Sequence, residues 1–218
     1  MEIQETITYM MEIIGTIAFA ASGAMVGIRK RMDIFGVCVL GFVTAVGGGM
    51  VRDVILGITP PNVFRNTDYA LVAVITSLMV FTVVYLKKDV MNGNFKIIYD
   101  RVMLIMDTIG LAIFTVVGVN IGIQQGFVDK IFLLTFVGTI TGVGGGLMRD
   151  VMAGEAPYIF VKHIYASASV VGAIVCVYMY RSFGTVVAMI ASSAVILLIR
   201  YLAAYYHWNL PHIEFEDK

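Results

Sequence analysis

Two arginine–aspartate pairs lie inside apolar segments, where a charged side chain is expensive unless it is paired or wetted. Each pair follows three consecutive glycines, with two residues in between. The segments are Gly47–Gly49 with Arg52 and Asp53, and Gly144–Gly146 with Arg149 and Asp150. Charges in such places bind charged solutes, line a wet path or tie two helices together, so they indicate a functional site.

The glycine triplets suit two different roles. Glycine in a helix interior costs roughly 1 kcal/mol relative to alanine, so three in succession predict a break or kink in a membrane helix. A break exposes backbone carbonyl and N–H groups, which can bind a permeating ion or a small polar solute. Glycines also allow two helices to pack closely. The sequence leaves both roles open.

Two further acidic residues lie at depths that match the arginines. Glu12 comes early in the first apolar run, and Asp107 comes early in the fourth. With a rise of about 1.5 Å per residue, one lies near each membrane face. The expected outer cluster is Glu12, Arg52 and Asp53, and the expected inner cluster is Asp107, Arg149 and Asp150. Structural ion pairs and pore-lining charges are both compatible with this arrangement.

Two basic residues follow the arginine–aspartate segments at equivalent positions. Arg65 comes after Pro60 and Pro61, and Lys162 comes after Pro157. Either residue alone is explained by snorkelling to the membrane interface. As a pair, one at each face, they are candidates for charges that guard the two mouths of a pathway and set its selectivity or gating.

The composition excludes several classes of protein. Of the 218 residues, 59% are hydrophobic and 14% are charged, against about 45–50% and ~25% in a soluble domain. Basic and acidic residues are equal in number, 15 each, which gives no basic face for nucleic acid. No nucleophile elbow, P-loop, HExxH or dinucleotide fingerprint is present. We therefore expect no enzyme, no catalytic residues, no cofactor and no metal site.

Seven apolar runs are long enough to be membrane helices, which need roughly 20 residues each. Backbone polar groups in hydrocarbon must be satisfied within the segment, which favours helices. We expect one all-α integral membrane domain over residues 1–218. The expected spans are about 7–28, 34–56, 69–86, 102–124, 131–153, 163–181 and 184–206.

Basic residues concentrate in alternate loops, and this bias orients the spans. The basic loops carry Arg29, Lys30 and Arg31 after the first span, and Lys87, Lys88, Lys96 and Arg101 after the third. Short basic loops face the cytoplasm. We therefore expect a multi-pass protein of the plasma membrane with its N-terminus outside and its C-terminus in the cytoplasm.

The chain contains an internal duplication. The segment from Gly47 to Val54 recurs from Gly144 to Val151, and the glycines of the preceding spans also align. Repeat one covers about 7–86, repeat two about 102–181, and the seventh helix, about 184–206, stands alone. Because each repeat has three spans, the second enters the membrane from the opposite side. An inverted 3+3 repeat with broken second and fifth helices is typical of transporters and channels.

Seven spans, an inverted repeat and a paired GGGxxRD motif resemble the prokaryotic trimeric intracellular cation channels (TRIC) and the related bacterial membrane proteins named for a glycine-transporter domain. The resemblance covers nearly the whole chain. It implies a homotrimer in the lipid bilayer with one pore per protomer, which conducts monovalent cations, chiefly potassium. It also implies that Gly47–Gly49 and Gly144–Gly146 are pore-lining kinks and that Arg65 and Lys162 are mouth or gating charges.

Two functions therefore compete. One is a potassium-permeable channel, and the other is a secondary transporter for glycine or another small zwitterion, for which the arginine–aspartate pairs would supply opposite charges. A channel needs a continuous wet path, whereas a transporter needs a closed state on each side. A scaffold without permeation would leave the intramembrane charges with packing roles only.

Overall fold

The chain folds into a bundle of long helices. The computed structural model describes residues 2–87, 95–161, 164–206 and 208, and within these ranges all regular secondary structure is helical. The helices are α1 (Glu2–Arg29), α2 (Ile34–Ile55), α3 (Asn62–Arg65), α4 (Asp68–Leu86), α5 (Phe95–Gln124), α6 (Ile131–Met152), α7 (Tyr158–Val161), α8 (Ala166–Phe183) and α9 (Thr185–Tyr205).

Seven of these helices, all except α3 and α7, are long and apolar enough to cross a membrane. The expected all-α architecture with seven spans is confirmed, and the chain is a multi-pass membrane protein. α1 and α5 begin at Glu2 and Phe95, several residues before the apolar runs do. A helix continues past the hydrocarbon boundary because its backbone hydrogen bonds form within the helix in either solvent.

The expected break in the second and fifth spans is not observed. α2 and α6 are continuous over their whole lengths, so both glycine triplets lie inside unbroken helix. A backbone hydrogen bond lost in hydrocarbon costs several kcal/mol, whereas glycine disfavours a helix by only about 1 kcal/mol. The glycines instead allow close packing. A Cβ on Gly48 would run into the carbonyl of Thr141, and one on Gly145 into the carbonyl of Thr44.

The second repeat packs upside down against the first. Where α1 contacts α5, higher residue numbers in α1 pair with lower residue numbers in α5. The contacts join Thr8 to Asn120, Phe19 to Phe114, and Ser22 to Asp107 through the shared guanidinium of Arg149. The two helices that begin the repeats are therefore antiparallel, as an inverted repeat requires.

α1 and α5 form the centre of the bundle. Every residue of α5 from Gly110 to Ile123 is buried. By contrast, α4, α8 and α9 lie at the periphery and expose large apolar side chains such as Leu86, Phe183 and Tyr201. An apolar surface of this extent is unfavourable in water and stable in lipid. The peripheral helices therefore face the bilayer, and the central helices position the intramembrane charges.

Candidate functional site

The first arginine–aspartate pair ends a helix and holds the turn that follows it. After α2, Gly57 adopts φ +73° and the Ile58 N–H donates to the backbone carbonyl of Asp53 at 2.8 Å, a Schellman arrangement. Arg52 donates from Nε and Nη2 to Asp53 Oδ1 at 2.9 and 2.7 Å. Asp53 Oδ2 accepts the backbone N–H of Asn62 at 2.7 Å. The aspartate thus links the arginine to the first turn of α3.

The second pair reproduces this arrangement after α6. Gly154 adopts φ +65°, and the Glu155 N–H donates to the backbone carbonyl of Asp150 at 2.9 Å. Arg149 Nε donates to Asp150 Oδ1 at 2.8 Å, and the Tyr158 N–H donates to Asp150 Oδ2 at 2.9 Å. Buried charges need partners. Each arginine–aspartate pair is therefore first a structural element that closes a helix end.

The expected outer cluster lies around a cavity. Glu12, Arg52 and Asp53, which we call the Arg52 cluster, line a cavity of about 40 Å³ together with Gly49 and Tyr69. A space of this size holds roughly three water molecules at about 10–15 Å³ each. We call it the Glu12 cavity. The structure thus brings these three sequence-predicted charges together at a place that water can occupy.

Glu12 has a partner other than Arg52. Its carboxylate accepts a hydrogen bond from the hydroxyl of Tyr69 on α4. In the described ranges it makes no ion pair with Arg52, whose guanidinium is already bonded to Asp53. The Arg52 cluster therefore shares a cavity without a direct bond between its first-helix acid and its arginine.

The expected inner cluster forms a compact ion-pair network. Arg149 Nη1 lies 2.5 Å from Asp107 Oδ1, and Arg149 Nε lies 2.8 Å from Asp150 Oδ1. Nη1 also donates to the Ser22 hydroxyl at 2.6 Å. We call Asp107, Arg149 and Asp150 the Arg149 cluster; none of the three is more than 1% exposed. Where the first repeat has a cavity, the second has a closed network.

Between the two clusters the repeats meet at a tight contact, which we call the waist. It comprises Phe19 and Phe114, with ring centroids 5.2 Å apart, and the facing backbones of Gly48 and Gly145. A Cβ on Gly48 would lie 3.2 Å from the backbone nitrogen of Gly145. Phe114 also lines the Glu12 cavity. The waist therefore separates that cavity from the Arg149 cluster.

The two predicted mouth residues can be described only in part. Arg65 is exposed at the end of α3 and donates to the Thr59 carbonyl at 2.7 Å. This places it beside the turn that follows Arg52 and Asp53. Lys162 lies outside the described residues. The role of both residues at a mouth stays a prediction.

Glu155 links the turn after α6 to the C-terminal end of α1. Its carboxylate forms ion pairs with Arg29 and, at 2.9 Å, with Lys30. Burial raises the pKa of Glu155, but hydrogen bonds from Lys30 and Arg29 outweigh that effect and hold the pKa below its ordinary value of 4.5. The position equivalent to Glu155 in the first repeat is Ile58. These two ion pairs join the repeats, and the first repeat has no acid at the position equivalent to Glu155.

The carboxylates of both clusters are bonded to the protein rather than arranged as metal ligands. Asp53 and Asp150 each bond an arginine and a backbone N–H. Over the part of the chain that the structure describes, no group of three or more His, Cys, Asp or Glu side chains is placed to hold a metal ion.

Three residues that lie near the clusters were not predicted from the sequence: Tyr69, Tyr165 and Arg200. The N–H groups of Asn62 and Tyr158 bond the two equivalent aspartates, so beyond this point the repeats are offset by one residue fewer than before it, and Tyr69 corresponds to Tyr165. Arg200 lies in the unrepeated seventh helix and is 5% exposed. A charge inside an apolar run is signal enough to flag Arg200, whereas Tyr69 and Tyr165 coincide only when the repeat alignment is shifted by one residue.

The family model for the glycine transporter family matches residues 9–85 and 104–181, which are the two repeats. The chain belongs to this family. The UPF0126 inner membrane protein YadS of Escherichia coli is 36% identical over 97% of this chain and 98% of its own length. A UPF0126 membrane protein of Deinococcus radiodurans is 34% identical over 93% of this chain and 90% of its own.

The solved structures that resemble this member of the glycine transporter family are TRIC channels. A TRIC cation channel described for its conductance matches with a TM-score of 0.81 and 34% identity, over 96% of this chain and 98% of its own. The TRIC trimeric intracellular cation channel orthologue of Rhodobacter sphaeroides matches with a TM-score of 0.83 and 30% identity, over 93% of this chain and 100% of its own. These relatives are channels rather than enzymes, and the chain has their fold.

Proposed function

We propose that this protein is a channel for monovalent cations, with potassium as the main permeant ion. The observation that supports this most directly is the match to solved TRIC cation channels over nearly the whole chain, at TM-scores of 0.81 and 0.83. At that similarity the arrangement of the seven spans is shared. In this proposal the path runs between the two repeats.

The charges of the Glu12 cavity suit a cation. Two carboxylates, Glu12 and Asp53, accompany one guanidinium, that of Arg52, so the ionised cavity carries one net negative charge. Asp53 is compensated by Arg52, whereas Glu12 is bonded by the neutral hydroxyl of Tyr69. A cleft of one charge sign with low-dielectric walls concentrates ions of the other sign. In this proposal the cavity is one entrance of the pathway, with Arg65 at its mouth and Lys162 at the opposite one.

Conduction requires the waist to open. Because Gly48, Gly144 and Gly145 carry no side chains, α2 and α6 meet at these glycines backbone against backbone. A small separation of the two helices then exposes polar backbone rather than apolar side chains. In this proposal the glycines form the contact at which two intact helices separate. They are not permanent kinks.

We also propose a homotrimer in the plasma membrane, with a pathway in each protomer, the N-terminus outside and the C-terminus in the cytoplasm. The Rhodobacter sphaeroides relative is described as trimeric, and the Escherichia coli relative is an inner membrane protein. The basic turn Arg29–Arg31 supports the orientation. Cross-linking in native membranes tests the trimer, and a reporter fused to the C-terminus tests the topology.

Flux into and out of liposomes tests the function. Purified protein is reconstituted in vesicles loaded with potassium, and potassium efflux is compared with uptake of labelled glycine. A channel gives potassium flux that Glu12→Gln reduces. The exposed lipid-facing variant Phe132→Ala serves as a matched control and keeps the flux. Saturable glycine uptake without potassium flux would reject the channel.

A secondary transporter for glycine or another small zwitterion is the second candidate, and one observation favours it. The first repeat has a cavity beside its charges, while the Arg149 cluster is closed by the ion pair with Asp107. A state open toward one side and closed toward the other is what alternating access requires of an inverted repeat. The same liposome experiment separates the two candidates.

A further inference from the structure

The two repeats match in sequence, but the spaces beside their third glycines differ. Gly49 lines the Glu12 cavity, and a Cβ there would meet nothing closer than the Arg52 guanidinium at 3.6 Å. Its counterpart is Gly146, where a Cβ would lie 3.1 Å from the hydroxyl oxygen of Tyr165. Tyr165 therefore occupies, in the second repeat, the place that is a cavity in the first.

Three buried polar atoms lie together around Tyr165, and none of them has a hydrogen bond of ordinary geometry. They are the Tyr165 hydroxyl, Arg149 Nη2 and Asp107 Oδ2, judged over the described ranges of the chain. The first two lie within 4 Å of a Cβ placed on Gly146. Roughly 90% or more of buried polar groups are fully bonded, so these atoms have hydrogen-bonding capacity that water or a polar solute can satisfy when the ring moves.

The seventh helix holds Tyr165 in this position. The guanidinium carbon of Arg200 on α9 lies 5.1 Å from the centroid of the Tyr165 ring, and Arg200 Nη1 donates to the Ile164 carbonyl at 3.2 Å. A cation within about 6 Å of a ring face is attracted to it. A buried charge in a span is expensive, and here its contacts go to the two residues at the entry to α8. Arg200 is therefore placed to fix Tyr165.

In the first repeat the residue that corresponds to Tyr165 is Tyr69, whose hydroxyl bonds the Glu12 carboxylate beside the Glu12 cavity. Among the described residues of that repeat, no cation lies over the Tyr69 ring as Arg200 lies over the Tyr165 ring. α9 itself has no counterpart, because it lies outside the duplication. The seventh helix thus breaks the symmetry of the two repeats at Tyr165.

We propose that Tyr165 is the gate on the Arg149 side of the pathway and that Arg200 keeps this gate closed. The gate rests on the proposed function, since it presumes that a polar solute crosses between the repeats. Opening moves the Tyr165 ring away from Gly146 and admits water to Asp107 and Arg149. The second repeat then gains a cavity like the Glu12 cavity.

Labelling of a buried cysteine tests the gate without reference to the permeant species. Ser22 is fully buried and bonds Arg149, so Ser22→Cys reports whether water reaches the Arg149 cluster. The background carries Cys38→Ala and Cys176→Ala, and the probe is a charged methanethiosulfonate reagent. Addition of Tyr165→Ala should raise the labelling rate at least tenfold.

Two further variants and a reference labelling site serve as controls for this experiment. Arg200→Met leaves the tyrosine in place and should raise the labelling rate less, but in the same direction. Tyr178→Ala makes the same change on the exposed face of α8 and should leave the rate unchanged. Met50→Cys in the Glu12 cavity should label at a similar rate in every background.

Potassium flux through the same variants separates the gate from the channel. Faster labelling with a several-fold larger flux supports both proposals. Faster labelling without flux in any variant upholds the gate and rejects the channel. Unchanged labelling in Tyr165→Ala and Arg200→Met overturns the gate, whatever the flux. If Tyr165→Ala fails to fold, Arg200→Met decides alone, because it keeps the aromatic ring.

Discussion

Asp107 lies 2.5 Å from Arg149 across the interface of α5 and α6, whereas its counterpart Glu12 bonds the hydroxyl of Tyr69 instead of Arg52. The two repeats therefore use equivalent acids in different ways. One acid completes a buried ion-pair network, and the other borders a cavity. This difference fixes which of the two acids the fold depends on.

Asp107→Asn should destabilise the protein by about 1.5–3 kcal/mol, the contribution of a hydrogen bond between charged groups. The change weakens the bond to the fully buried Arg149, which keeps Asp150 as an ion-pair partner. The thermal midpoint of unfolding in detergent measures the loss. Glu12→Gln is the matched control at the equivalent position, where no ion pair is broken, and it should lower the midpoint much less. Equal losses would contradict the difference between the clusters.

The packing of α2 against α6 predicts different effects for neighbouring glycines. Gly48→Ala places a methyl group against the backbone carbonyl of Thr141, which a side-chain rotation cannot relieve. Such overpacking costs typically about 1–3 kcal/mol. We expect a lower thermal midpoint and a smaller yield of folded protein.

Gly49→Ala is the control for that prediction. Its added methyl group meets only the Arg52 guanidinium at 3.6 Å, an ordinary contact, and alanine favours a helix by about 1 kcal/mol over glycine. The variant should be as stable as the natural protein or more stable. If Gly48→Ala and Gly49→Ala behave alike, the close backbone contact is not what the triplet provides.

Hydropathy and duplication suffice to predict the seven spans, the inversion of the second repeat and the grouping of the Arg149 cluster. These features follow from the cost of placing polar groups in hydrocarbon, which a single sequence displays directly. The unbroken helices could not be predicted from propensity. Propensity scales describe glycine in water, whereas Gly48 and Gly145 lie in a packed interface inside a membrane helix.

The partners of the charges were predictable only where sequence places them nearby or repeats them. Arg52 and Asp53 are adjacent, and their bond follows from that. Tyr69 and Tyr165 lie far from Glu12 and Gly146 in the sequence, so only the tertiary packing brings them to these residues. A cavity in one repeat and a closed network in the other are likewise products of packing.

Glu155 should make stability depend on pH in the acid range. Its pKa in the folded protein lies below the ordinary value of 4.5, so its contribution is complete above about pH 4.5 and is lost as the pH falls through the lower folded value. Because the carboxylate is partly exposed, the contribution is up to about 1 kcal/mol. Glu155→Gln should lower the thermal midpoint at pH 7 and have no effect at acid pH. A difference that grows as the pH falls would contradict the ion pair.

A double-mutant cycle should show that Glu12 is coupled to Tyr69 more strongly than to Arg52. The Tyr69 hydroxyl donates directly to the Glu12 carboxylate. Glutamine keeps an acceptor there, so Glu12→Gln removes the difference between a charged and a neutral hydrogen bond, about 1 kcal/mol. Glu12→Gln and Tyr69→Phe, alone and together, give the coupling energy from unfolding free energies. Glu12→Gln with Arg52→Gln gives the comparison, and Tyr9→Phe, whose hydroxyl bonds Asp68, is the control tyrosine. Additive effects of Glu12→Gln and Tyr69→Phe would mean that the acid is held by the cavity as a whole, and the assignment of Tyr69 as its partner would fail.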